Sequence, residues 1–372
     1  MKIILASAIM SLFAVVLAGG EEAAPSSAPR DKAGPAKELQ SYFDSLAVEN
    51  KLSGAVLVAK DGVTIASKAA GIANKATGAP IELNTKFNLG SMNKMFTAIA
   101  VAQLAQAGRL SFTDTISKHL PDYINKEVAD KVTIHQLLTH TSGMGLYWNE
   151  KFREQREKLL TVAAHLPLFA SDPLSFPPGE KFQYSNSGYM VLGAIIEKVS
   201  GEDYYSYVRE HIYKPAGMSE TGFYEPGKET PNLAIGYVRM GPDGKPFDEP
   251  RDNTNTREVK GGPAGGGYST VGDLVKFHIA LRSYKLLNEE YTKLVTTGKV
   301  DAGGPGGRYG YGFGERMLDG KHIVGHNGGA PGIAANFDMY PELGYTAVLL
   351  MNSDPPAMMP VVMGIRQRLP AE

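Results

Sequence analysis

A chain of 372 residues with 43% hydrophobic content has room for two domains and a sizeable core. Its 38 Lys and Arg balance 39 Asp and Glu to a net charge of −1 with no long basic run, which removes the electrostatic reason to expect nucleic acid or an anionic membrane surface as partner. Cysteine is absent, so disulfides, thiol chemistry and lipid attachment at a cleavage-site cysteine are excluded.

The N-terminus reads as a signal peptide over residues 1–18: Met1-Lys2, an apolar stretch from Ile3 to Ala18, and small Val16 and Ala18 ahead of a cut. That run is short for a spanning helix, and no later segment is apolar for long enough to cross a bilayer. A secreted or periplasmic protein, with no stable membrane insertion after cleavage, is expected. Residues 19–36, rich in Ala, Pro, Gly and charge, are expected to form a disordered linker. Leu39, Tyr42, Phe43 and Leu46 then repeat as an amphipathic helix over 37–46. Gly54 to Ala59 and Val63 to Gly71 read as two strands joined through Lys60-Asp61-Gly62, a hairpin signal.

Phe87-Asn88-Leu89-Gly90 leads into Ser91-Met92-Asn93-Lys94, where Met95, Phe96, Ile99 and Leu104 set a helical period that ends near Gly108. Helical patterns and glycine-proline loops dominate the middle, notably Thr133 to Leu138, Tyr189 to Val199, Tyr204 to Ile212 and Val271 to Leu281. Strand signals return after about Glu290, at Lys321 to Val324, Ala334 to Tyr340 and Tyr345 to Met351, before a closing helix from Ala357 to Arg368. Strands at both ends with helices between them predict an α+β fold, an α/β sandwich whose mainly antiparallel sheet is flanked by helices. That sheet domain is built from both termini, over 37–110 and 290–372, and carries an inserted, mainly helical domain over 111–289.

Ser91 and Lys94 are one turn apart at a helix start, so the lysine ammonium can lie beside the hydroxyl, and the helix N-terminus offers free N–H groups to an oxyanion. Alone the motif decides nothing, since about one Ser-x-x-Lys is expected by chance in a chain this long. Tyr184-Ser185-Asn186 supplies a phenol that a nearby ammonium would push toward phenolate, fit to act as general base and acid, and an amide able to fix the lysine. The plain alternative is that Ser185 or Asn186 caps the helix that follows. Gly325-His326-Asn327-Gly328-Gly329 follows the strand at Ile323-Val324. There glycine would let a substrate lie along a strand edge, the Gly329 N–H could complete an oxyanion hole with that of Ser91, and His326 would be a proton-responsive donor. Its alternative is a glycine-rich bulge with a surface histidine. Leu138 to Met144, with Tyr147-Trp148 beyond, reads as a pocket wall with Trp148 at its rim, or as a helix-ending turn. The eight His are scattered without a His-Glu-x-x-His, so no metal site and no cofactor is expected. Gly261-Gly262-Pro263 and Gly303 to Gly307 lack a following Lys-Ser/Thr and read as flexible loops, not phosphate loops.

In this order the motifs make the chain resemble the serine β-lactamase and penicillin-recognising hydrolase superfamily, on the branch holding class C β-lactamases, DD-peptidases and family VIII esterases. The resemblance runs from about Lys37 to the C-terminal helix and includes Thr133 to Gly143 and Gly265-Gly266-Gly267-Tyr268-Ser269-Thr270. It implies that Ser91 and Lys94 fill Ser-x-x-Lys, Tyr184 and Asn186 fill Tyr-x-Asn, and His326 and Gly328 fill the His-x-Gly form of the third motif. The implied chemistry is acyl transfer through an acyl-enzyme on Ser91, with Tyr184 and Lys94 managing its proton.

Class C β-lactamases carry Lys-Thr-Gly where this chain has His326-Asn327-Gly328, and Trp148 falls near where they place an amide side chain. Both departures lean away from β-lactams. The expectation is therefore an exported serine hydrolase, foremost a carboxylesterase, with Asn186, His326, Asn327, Gly328, Gly329 and Trp148 binding a small-molecule ester, amide or peptide substrate. A D-Ala-D-Ala carboxypeptidase, a D-aminopeptidase or a weak β-lactamase is the alternative, and a non-catalytic cell-wall peptide-binding protein the alternative of another class.

Overall fold

The computed structural model describes residues 34–224, 228–241, 243–303 and 306–371. The expected signal peptide and all of the expected linker up to residue 33 lie outside them. Helix α1 (Pro35–Val48) takes in the last two residues of that expected segment, starting at Pro35, where the ring's fixed φ suits a first helical position. Leu39, Phe43 and Leu46 are its buried stripe.

Strands β1 (Gly54–Lys60) and β2 (Val63–Ala70) turn through Asp61 (φ 48°) and Gly62 (φ 82°), the paired left-handed conformation that matches the twist of a two-residue hairpin. From the C-terminal part come β3 (Val300–Asp301), β4 (Arg308–Tyr309), β5 (Gly314–Leu318), β6 (Lys321–Ala330), β7 (Ile333–Tyr340) and β8 (Tyr345–Met351). Together they form an eight-stranded sheet in the order β2-β1-β8-β7-β6-β5-β4-β3. Every ladder is antiparallel. Strands from the N-terminal and C-terminal parts thus meet in one sheet, where β1, second from its edge, lies against β8 with Val56 opposite Leu349.

Strand alternation divides the core. Val56, Val58 and Leu349 face a layer made by α1 and the closing helix, whereas Ala55, Leu57, Ala59, Val348 and Leu350 join the larger core beneath the other helices. A strand covered on both faces has no polar side to show, which is why β1 reads as one continuous apolar run.

The helices of that larger core are α2 (Asn93–Gln106), buried almost all round, and α3 (Asn186–Ser200), which packs on it. Helix α4 (Val271–Arg282) comes from the helical middle of the chain yet lies against β1 and β8, with His278 Nδ1 2.5 Å from Thr346 Oγ1 and Arg282 donating to Asp61 at 2.6 Å. The closing helix α5 (Met358–Arg368) is pinned to β7 by Arg366, which donates to both carboxylate oxygens of Asp338 at 2.9 and 3.1 Å. The middle also holds a two-stranded hairpin, Tyr237–Met240 with Pro246–Asp252, that periodicity alone did not suggest.

Strand β6 corrects one expectation. It does not stop at Val324 but continues through Gly325–Ala330 in unbroken register with β7, so the glycine-rich stretch is strand and not a bulge. Its pairing with β5 ends at Gly325, opposite Gly314. Beyond that point the side of β6 away from β7 meets the turn that carries Ser91.

Candidate active site

Ser91 sits in a single 3-10 turn, Gly90–Met92, that runs straight into α2. Ser91 and Lys94 are three residues apart across this junction, about one helical turn, which puts the lysine amine beside the Ser91 hydroxyl. The turn is held from two sides. Gly90 adopts φ 51°, its N–H donates to Asn88 Oδ1 at 2.9 Å, and its carbonyl accepts from Gly266 N–H at 3.1 Å, while Leu89 N–H donates to the Gly267 carbonyl at 2.7 Å. On the other side lies β6. A Cβ on Gly328 would stand 1.9 Å from the Leu89 carbonyl oxygen and 3.1 Å from the Ser91 amide nitrogen, so only glycine lets the strand come this close. A Cβ on Gly90 would stand 3.0 Å from the Gly329 amide nitrogen. The amides of Ser91 and Gly329 therefore line the same narrow gap.

Lys94 is 0% exposed. Its Nζ is 3.3 Å from Ser91 Oγ, 2.7 Å from Asn186 Oδ1 and 2.5 Å from the Ala264 carbonyl. Burial holds its ammonium well below the ordinary lysine range, and the charge of Glu258 opposes that drop. Gly261-Gly262-Pro263, expected as a flexible loop, is instead buried and tightly packed. Gly262 and Gly265 exchange backbone hydrogen bonds, the Pro263 carbonyl accepts from Thr97 Oγ1 at 2.7 Å, and Ala264 follows with the carbonyl that holds Lys94.

In Tyr184-Ser185-Asn186 the helix cap and the contact with the lysine fall on different residues. Ser185 caps α3, its Oγ accepting from Gly188 N–H at 3.0 Å, while Asn186 begins the helix and turns its amide oxygen to Lys94. The Tyr184 hydroxyl interacts with the Ser91 side chain, which lowers its pKa, but burial outweighs this and drives the phenol up. Burial thus opposes the expected push toward phenolate, although Lys94 Nζ lies 4.7 Å from the ring centroid.

His326 also departs from expectation. It is buried on β6, with Nδ1 donating to the Asn327 carbonyl at 2.5 Å and Nε2 2.9 Å from the Tyr309 hydroxyl. Burial, with Lys94 beside it, pushes its pKa down to about 3, so it is a fixed neutral side chain and not a proton-responsive donor. Asn327, next along the strand, is half-buried and alternates to the other face.

The segment after the Ile134–Leu138 helix is a turn that packs against Tyr184. His140, at φ 59°, accepts the Ser185 N–H on Nδ1 at 3.1 Å and stacks 4.2 Å from the Tyr184 ring, with Tyr189 and Tyr309 at 5.0 and 4.8 Å. Burial keeps it neutral. The Gly145 carbonyl accepts from Ser185 Oγ at 2.9 Å, which fastens the wall to the Tyr184 motif. Trp148 is half-buried and donates through Nε1 to Glu258 Oε1 at 2.9 Å, and the Tyr147 hydroxyl donates to the same oxygen at 3.0 Å. Glu258 and Tyr309 were not anticipated: neither stands in a motif, and only the fold brings them here.

Among the described residues no group of His, Asp and Glu is placed to hold a metal ion, and no helix is long and apolar enough to cross a membrane.

A family model described as Beta-lactamase matches residues 39–372. Penicillin-binding protein 4* of Bacillus subtilis is 30% identical over 335 residues, covering 86% of this chain and 72% of that protein. Esterase EstB of Burkholderia gladioli is 33% identical over 228 residues, 57% of each. The crystal structure of a penicillin binding protein from Bacillus halodurans superposes with a TM-score of 0.80 at 33% identity, covering 88% of this chain and 99% of that one. Sequence and fold agree, and the chain belongs to the beta-lactamase family, among its serine hydrolases.

Proposed function

We propose that Ser91 is the nucleophile of an exported hydrolase that cleaves small esters through an acyl-enzyme. The observation that carries this is the buried Lys94 amine, held at once by Ser91, Asn186 and Ala264. Desolvation favours the neutral amine. Its two N–H bonds then serve Asn186 Oδ1 and the Ala264 carbonyl, leaving the lone pair for the Ser91 hydroxyl proton. Tyr184, kept as a phenol, relays that proton to the departing alkoxide. The Ser91 and Gly329 amides take the oxyanion, and water activated by the same pair releases the acid. Lys94 and Tyr184 are close enough to titrate as a coupled pair. Export is supported by the Met1–Ala18 pattern.

An ester is favoured over a β-lactam or a D-Ala-D-Ala peptide by charge. Both of the latter carry a carboxylate, whereas the third motif here offers a neutral His326 and the site wall carries Glu258. The second reading, a peptidase or amidase, draws support from the penicillin-binding relatives. Rates on p-nitrophenyl esters, nitrocefin and a D-Ala-D-Ala peptide, taken side by side, separate the two. Ester turnover that exceeds both others supports the proposal, and turnover confined to the peptide or to nitrocefin overturns it.

A further inference from the structure

Glu258 is a half-buried carboxylate that makes no ion pair among the described residues. Its Oε1 accepts from the Trp148 indole and the Tyr147 hydroxyl, both neutral donors. The neighbouring Arg257 guanidinium donates to the Glu258 main-chain carbonyl at 3.3 Å and not to its carboxylate. The Arg257 guanidinium lies on the Tyr268 ring, and the Lys260 ammonium is 3.9 Å from the centre of the Tyr205 ring. Oε2 takes no hydrogen bond from the described residues. A partly desolvated carboxylate held in place by neutral donors is an incomplete site, since buried charge is normally paired.

Its position ties it to the catalytic residues. Tyr147 and Trp148 follow Gly145, whose carbonyl holds Ser185, and the charge of Glu258 is felt at Lys94. Tyr147 packs edge-on against His165 and Trp148, giving the wall an aromatic surface beside the carboxylate. An indole next to a carboxylate suits one kind of ligand, an organic ammonium, which gains from both.

We infer that Glu258 and Trp148 form an ammonium-binding subsite, so that the preferred substrates are esters or amides carrying a positively charged amine. This rests on the hydrolase reading of Ser91. The subsite selects and positions the substrate, and takes no part in proton transfer.

The test compares wild type with Glu258→Gln on two pairs of isosteric esters. Alanine methyl ester, in both enantiomers, is set against methyl isobutyrate, which places the cation on the acyl side. The isobutyrate of choline is set against 3,3-dimethylbutyl isobutyrate, which places it on the alcohol side. Glutamine keeps a carbonyl for Trp148 and Tyr147, so the wall stays assembled. Any effect of the lost charge on Lys94 acts on both members of a pair and divides out. In at least one pair, the wild-type kcat/KM ratio of charged to neutral ester should exceed unity, and Glu258→Gln should cut it about ten- to a hundredfold, the worth of one hydrogen bond to a charged group. Ratios unchanged in both pairs, with neutral esters still hydrolysed, overturn the subsite and leave the hydrolase standing. No turnover of any of the esters overturns both.

Discussion

Lys94 Nζ lies 4.7 Å from the centre of the Tyr184 ring, over its face, while the same nitrogen is 3.3 Å from Ser91 Oγ. Burial acts on both groups in the neutral direction, down for the lysine and up for the tyrosine. In the proposed mechanism the pair accordingly works as an amine and a phenol, with the amine as base.

It follows that acylation requires unprotonated Lys94. The acylation rate should rise with pH through the Lys94 pKa, and the rise should fall well below about 10.4, where an ordinary lysine titrates. Glu258 raises that pKa, so Glu258→Gln should move the limb to still lower pH. Lys94→Ala should lower turnover by about 10²–10⁴ and remove the limb. A pH profile in Lys94→Ala that retains the wild-type limb would assign it to another group.

Gly328→Ala should separate the strand from the nucleophile. Its Cβ meets the Leu89 carbonyl at 1.9 Å, backbone against backbone, with no side chain to yield. Overpacking of this kind costs about 1–3 kcal/mol. Thermal unfolding should show that loss, and the acylation rate should fall by more than the stability change explains, because the Ser91 and Gly329 amides part. Wild-type acylation in a destabilised Gly328→Ala protein would contradict the oxyanion role of this gap.

Ser185→Ala separates capping from chemistry. It removes the α3 cap and the bond to the Gly145 carbonyl, and should destabilise the protein by about 1–2 kcal/mol. Tyr184→Phe, one residue away, should instead leave the unfolding midpoint nearly unchanged and lower turnover by orders of magnitude. Near-wild-type rates in Tyr184→Phe would remove Tyr184 from proton transfer.

His278, remote from the catalytic residues, predicts an acid limb in stability. Burial between α4 and β8 lowers its pKa to about 4, against about 6.5 unfolded. Between those values only the unfolded chain binds the proton, so stability is fully present above about pH 6.5 and falls by about 1.4 kcal/mol per unit as pH drops toward 4. Urea unfolding across that window should show a shallower fall in His278→Gln than in wild type. Equal slopes would mean that the histidine is already charged in the fold.

What could be read in the sequence was what is local. Ser91 and Lys94 meet because they are three residues apart, and Asp61-Gly62 announces its own hairpin. Gly325 to Gly329 was recognisable as a motif but not as strand, since glycine carries little strand preference and pairing with β7 imposes the conformation. The titration of His326 and Tyr184 was misjudged because sequence supplies the neighbours but not their desolvation or their placement. Glu258 left no trace at all: a glutamate in a polar loop becomes distinctive only when Tyr147 and Trp148, more than a hundred residues earlier, close on it.

Whether Ser91 is an activated nucleophile is read most directly by intact-mass measurement after exposure to a fluorophosphonate, followed by peptide mapping. One adduct, on Ser91, should form in wild type, slow sharply in Lys94→Ala and be absent in Ser91→Ala. No adduct on wild-type Ser91, or an adduct that persists in Ser91→Ala, would contradict that role.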